Sequence, residues 1–235
     1  MNEQGRVPDQ RRQNRMTKVQ TALGWCYLPV HIFVLPVLLS LYAAASPDPL
    51  SAGTVNLIYY GVSFVFILCV MFSYLRRDFD TLLDRPGRCL SALIGALAVN
   101  YVLSFFVGLA LLALESGENP NNAAIAAAPA ESFATLKALA LFLGPVTEET
   151  LFRGVAFGTL RPRSRILAYA ASTLLFAVYH VWQYALLGVD ARFLLYLLQY
   201  VPMSMALGWC YDRSGSIWTC IFFHMGYNAL AFSVL

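Results

Sequence analysis

The chain has 235 residues, of which 59% are hydrophobic and 12% charged, and its mean hydropathy is +0.61. Soluble domains carry about a quarter charged residues, so this composition excludes one and specifies an integral membrane protein. The net charge of +3 gives no case for nucleic acid, because the basic residues gather at the ends of apolar runs, where they report topology.

Those runs are about 20 residues long, the length of a helical span, and none shows the short alternating pattern of a barrel strand. The expected fold is all-α, a polytopic helix bundle of about seven transmembrane helices. Residues 1–20 form a polar tail in which Arg6, Arg11, Arg12, Arg15 and Lys18 outnumber Glu3 and Asp9, and it is expected in the cytoplasm. The first span, 21–45, ends in Ala-Ala-Ala-Ser, which resembles a signal-peptidase site. Its apolar run exceeds a signal segment and contains Pro29, His31 and Pro36, so retention is expected. A second span, 54–75, leads to a cytoplasmic loop holding Arg76, Arg77, Arg85 and Arg88. The third, 89–114, is followed by an Asn-rich, Ala-rich loop without Lys or Arg, expected outside.

A fourth span, 133–160, returns to the cytoplasm at Arg161, Arg163 and Arg165. Spans five, 166–188, and six, 192–210, are joined by a short outer turn that makes them antiparallel neighbours. The seventh, 217–235, leaves the C-terminus outside, opposite a cytoplasmic N-terminus. The five cysteines form no C-x-x-C pair and read as buried thiols.

Within the fourth span stands Thr147-Glu148-Glu149-Thr150-Leu151-Phe152-Arg153-Gly154. Three charges inside a bilayer cost on the order of 8 to 10 kcal/mol before pairing. Glu149 and Arg153 are four residues apart on one helix face and can pair, while Glu148 points about 100° away and needs other partners. His180 and His224, in the fifth and seventh spans, are expected to supply them. At 1.5 Å per residue Glu148 and His180 both lie roughly 20 Å from the cytoplasmic ends of their spans. His224 shares a face with Asn228, one turn on. Gly144 and Pro145 predict a loosened helix just before Glu148.

A carboxylate, two imidazoles and an amide around one water-filled pocket suit activation of water beside a polarised carbonyl. Glu148 would be the general base, kept ionised by Arg153, with His180 sharing the water. His224 and Asn228 would offer N–H donors to a tetrahedral oxyanion, each donor being worth a few kcal/mol in a dry site. This is the chemistry of peptide hydrolysis.

Glu148-Glu149-x-x-x-Arg153, Phe176-x-x-x-His180 and His224-x-x-x-Asn228, in this order and in separate spans, resemble the three motifs of the CPBP family of CAAX prenyl proteases and bacteriocin-processing enzymes, also called Abi or CAAX protease self-immunity proteins. The resemblance covers 133–235. It implies a glutamate-type intramembrane endopeptidase, with Glu148 as base, His180 as the water-binding histidine, and His224 and Asn228 in the oxyanion hole. Glu149, Arg153 and Phe176 are supporting residues. The implied layout is a basic tail over 1–20, spans without signature over 21–132 and a catalytic core over 133–235. The substrate would be a membrane-associated peptide or protein, lipidated at a CAAX terminus or carrying a bacteriocin leader, met in the bilayer without nucleic acid.

Other readings stand beside this one. Glu149 and Arg153 form a structural pair as readily as a catalytic one, and Phe176 reads as packing on the His180 ring. No cofactor or metal is expected, although Glu148, His180 and His224 could make a two-histidine, one-carboxylate zinc site. No H-E-x-x-H helix is present, and three ligands from three helices would each need outer support. A catalytically silent immunity or membrane scaffold protein, or an ion path, also accommodates buried charge. A transporter would be expected to show internal repeats, and none is visible.

Overall fold

The computed structural model describes residues 16–48, 50–117, 119–186 and 192–233. Most of the expected N-terminal tail and the turn between the fifth and sixth expected spans lie outside the described residues. Among the described residues all regular structure is helical, without a strand.

Helix α1 covers Lys18–Ala45. Thr17 caps it through a reciprocal box with Gln20, and the Gln20 amide donates to Val70 O and Ser73 Oγ of the next helix. Between Pro29 and Pro36, each lacking an N–H for the helical ladder, the chain widens into a π turn at Val30–Val34. Helix α2, Ala52–Asp84, is capped by Ser51, and α3 spans Pro86–Ala113. The loop expected around Arg76–Arg88 is therefore helical apart from Arg85. No breaker occurs before Pro86, whose ring excludes the helical conformation from Arg85 and leaves it at φ −137°, ψ 54°.

Two short helices follow, α4 at Pro120–Ala126 and α5 at Ala130–Leu141. The expected fourth span is broken at Phe142 (φ −121°, ψ −67°), two residues ahead of Gly144-Pro145. Beyond the break, α6 runs over 143–160 as an α segment Leu143–Glu149, a π segment Thr150–Phe157 and a last turn Gly158–Leu160. Helices α7, Arg165–Leu186, and α8, Arg192–Ser214, precede Gly215, whose φ of +76° allows the turn into α9, Ile217–Ala231.

Among the described residues four helices are long and apolar enough to cross a membrane: α1, α2, α3 and α7. The other three expected spans correspond to α5 with α6, to α8 and to α9, which are interrupted, more polar or shorter. At 15 residues α9 is about 22 Å long, against a hydrocarbon core of about 30 Å. The dilution of hydropathy falls on the helices that carry the polar constellation, apart from α7.

Helix α8 packs along α3 and α7, and α6 sits inside a ring of α1, α2, α7, α8 and α9. Residues 149–157 have no more than 1% exposure wherever a side chain is present. Outward-facing Leu, Phe, Val and Ile of α1, α2 and α3 remain exposed, as the lipid-facing sides of spans do. Asp78 of α2 closes the bundle at the start of α9. Its carboxylate accepts from Ile217 N at 2.6 Å and from Ser216 Oγ at 2.8 Å.

Candidate active site

The central position of α6 follows from its two glutamates and arginine, which find partners only in the bundle interior. Glu149 and Arg153, both 0% exposed, form the expected pair at 3.1 Å. Arg153 also donates to Ser204 Oγ at 2.8 Å and Ser204 O at 3.2 Å, and its guanidinium lies 4.4 Å from the centre of the Phe176 ring. These contacts offset part of the desolvation cost that a buried ion pair alone does not recover.

Glu148, one residue earlier, turns to a cavity of about 760 Å³ whose lining includes His180, His224, Tyr179, Tyr60 and Asn228. Its Oε1 accepts from Tyr60 at 3.2 Å and from Tyr179 at 3.5 Å, and the two phenol oxygens are 3.1 Å apart. Its Oε2 accepts no hydrogen bond among the described residues. Facing that oxygen are His180 Nε2 at 4.0 Å and His224 Nε2 at 3.9 Å.

Both imidazoles are oriented from behind. His180 donates through Nδ1 to the Phe176 carbonyl at 2.8 Å, its ring stacked on Tyr200 and tilted against Phe176. His224 donates through Nδ1 to Glu149 Oε1 at 2.8 Å. This fixes Nε2 as the atom each ring presents to Glu148. Asn228, one turn beyond His224, donates one amide hydrogen to Ala140 O at 2.8 Å and lines the cavity.

The expected site residues thus converge, with two differences from the sequence reading. His224 joins both glutamates instead of Glu148 alone, because Glu149 keeps an oxygen that both Arg153 and His224 reach. Tyr60 was missed. It comes from α2, among the spans read as lacking any signature, and a tyrosine beside Tyr59 in an apolar run carries no spacing that marks it. Tyr179 had a signal, lying directly before His180.

The zinc alternative meets a mixed geometry. The Glu149 carboxylate and the Phe176 carbonyl supply the outer support that ligating histidines require. Yet the edges of a zinc tetrahedron with bonds near 2.0 to 2.1 Å are about 3.3 Å, shorter than the 3.9 and 4.0 Å found here. Among the described residues no three His, Cys, Asp or Glu side chains are gathered closely enough to hold a metal ion. As arranged, the residues do not fit zinc.

Fold and cluster together define a helical membrane protein with a carboxylate and two histidines at the floor of an internal cavity. Residues 130–230 match the family model of type II CAAX prenyl endopeptidase Rce1-like proteins. The matched segment opens with α5, closes within α9 and contains all three motifs. Such a match, in a chain with several apolar helices of spanning length, points to a protease embedded in a membrane. Comparison with curated proteins and with solved structures finds no match.

Proposed function

We propose that this protein is an intramembrane endopeptidase in which Glu148 activates water. The observation that carries the reading is Glu148 Oε2, buried without a hydrogen bond among the described residues and 3.9 to 4.0 Å from two imidazole Nε2 atoms. Atoms about 4 Å apart are too distant to bond directly, but both can lie about 2.8 Å from one water oxygen.

In this mechanism Glu148 takes a proton from water shared with His180 Nε2, and the hydroxide oxygen attacks the peptide carbonyl. The second amide hydrogen of Asn228 and Nε2 of His224 receive the oxyanion. Donation from Nε2 while Nδ1–H binds Glu149 requires a doubly protonated ring, and the Glu149 carboxylate supplies its counter-charge. The C–N bond then breaks, and the proton held by Glu148 passes to the leaving amine. Tyr60 and Tyr179 hold Oε1 so that Oε2 faces the water. Arg153 fixes Glu149, and through it His224.

The basic ends of α1, α2, α3, α6 and α7 support a cytoplasmic N-terminus and a C-terminus on the opposite side. The substrate is a membrane-associated peptide or protein. Incubating purified protein with lipidated and unlipidated peptides, read by mass spectrometry, tests the reading. Cleavage within the chain at one defined bond is expected, and no cleavage of any peptide in the panel counts against it.

A further inference from the structure

Away from Glu148, an open groove of about 260 Å³ lies where α8 packs between α3 and α7. It is lined by Arg165 and Tyr169 of α7, Met205 and Trp209 of α8, and Val99 of α3. The residues recur at helical spacing. Arg165 and Tyr169 are four apart, as are Arg213, Trp209 and Met205, so each set shares a face and steps along it by about 6 Å. Helices α7 and α8 run in opposite directions here. Arg165 pairs with Asp212 at 2.7 Å, and two turns further in Thr173 Oγ1 donates to Met205 Sδ at 3.5 Å.

Along these steps the groove passes from charge to hydrocarbon. At its mouth stand Arg165 and Arg213, the guanidinium of the latter 5.5 Å from the centre of the Trp209 ring. One turn in are Tyr169 and Trp209, residue types that settle at membrane interfaces. The indole is seated on α3 at Gly95, where any Cβ would collide with it. Another turn in are Met205 and Val99. Ile94 of α3 and Ile166 of α7 are exposed beside these residues in the sequence, as side chains turned to lipid are.

Positive charge at the mouth is in excess. Arg161 and Arg165 share the single carboxylate of Asp212, and Arg88 donates to Arg213 O at 2.7 Å, which brings the start of α3 to the same point. Among the described residues no acidic side chain lines the groove, and Asp80 and Asp84 belong to α2. The Arg165 side chain is half exposed. A guanidinium carries five N–H donors, so it can bind Asp212 and a phosphate together.

We propose that this groove binds an anionic diacyl phospholipid, with its phosphate between Arg165 and Arg213 and an acyl chain along Trp209, Met205 and Val99. Basic pockets between membrane helices select anionic headgroups. The apolar depth selects a lipid over a soluble phosphate, which would gain nothing from it. The groove and the Glu148 cavity share no lining residue, so lipid binding is independent of peptide hydrolysis.

The full chain in neutral detergent, offered equal amounts of phosphatidylglycerol and phosphatidylcholine with the same acyl chains, is read by native mass spectrometry. Preference for phosphatidylglycerol by about 10-fold or more is expected, falling to about 2-fold or less in the double variant Arg165→Gln, Arg213→Gln. Arg161→Gln removes the other partner of Asp212 without touching the lining and should keep the preference. Val99→Trp fills the groove, leaves every arginine in place, and should abolish the tightest bound lipid. Should the double variant lose its melting transition, Arg213→Gln alone decides, with a fall of about 3-fold or more expected. Equal binding of the two lipids by wild type overturns the proposal. So does a preference that survives in the arginine variants, or one lost equally in Arg161→Gln, which would show only diffuse attraction. Displacement of phosphatidylglycerol by equimolar glycerol phosphate would overturn the lipid assignment in favour of a soluble phosphate.

Discussion

At the scale of single residues, the two oxygens of Glu148 are set apart by their neighbours. Oε1 is held by Tyr60 and Tyr179, and Oε2 looks at two imidazoles. A hydrogen bond to a charged group contributes about 1.5 to 3 kcal/mol. Tyr60→Phe keeps the ring and deletes that bond, so kcat should fall about 10-fold or more while KM stays within about twofold. A loss appearing only in KM would reassign Tyr60 to substrate binding. Metal is a second question at this scale. Because the nitrogen and oxygen donors stand wider than a zinc tetrahedron, activity should survive exhaustive chelation, and elemental analysis should find no stoichiometric zinc. Metal near one per chain, lost together with activity, would make Glu148, His180 and His224 ligands instead.

Among the elements, α9 has the most exacting task, since at 15 residues it carries both His224 and Asn228. Asp78 anchors its start through Ser216 and the Ile217 N–H. Loss of a helix cap costs about 1 to 2 kcal/mol. Asp78→Ala should therefore lower the melting temperature in detergent and reduce turnover, with Asp78→Asn milder in both. An unchanged melting temperature would show that α9 is held by its flanks alone. How far these elements were legible depends on which force places them. The i,i+4 spacing of Glu149 and Arg153 and the matched depths of Glu148 and His180 follow from helix geometry, and the contacts agree with both. The break at Phe142 was anticipated only as a kink near Gly144-Pro145, and α2 runs nine residues past its expected end because charged residues do not stop a helix. Tyr60 reaches the site through tertiary packing between α2 and α6, which leaves no local periodicity to read.

For the whole molecule, the gathering of Arg88, Arg161, Arg165 and Arg213 at one end of the bundle governs orientation. Tags in the N-terminal tail, after Arg85 and within 161–165 should be reached only from the cytoplasm, and a C-terminal tag only from the other side. Both termini on one side would contradict an odd number of crossings. The N-terminal helices also do more than anchor. Helix α2 gives the site Tyr60 and a wall of its cavity, and α1 packs His31 beneath Tyr59 and Tyr179, so a fragment limited to the matched residues 130–230 would lack part of the site.

The central claim is that the Glu148 carboxylate is the base of a peptide hydrolase, and the most direct measurement compares wild type with Glu148→Gln on one cleaved peptide in detergent. Glutamine preserves size and the capacity to accept from Tyr60 while removing the proton acceptor. Turnover is predicted to fall by several orders of magnitude with an unchanged melting profile. Retention of wild-type cleavage by Glu148→Gln would contradict the account.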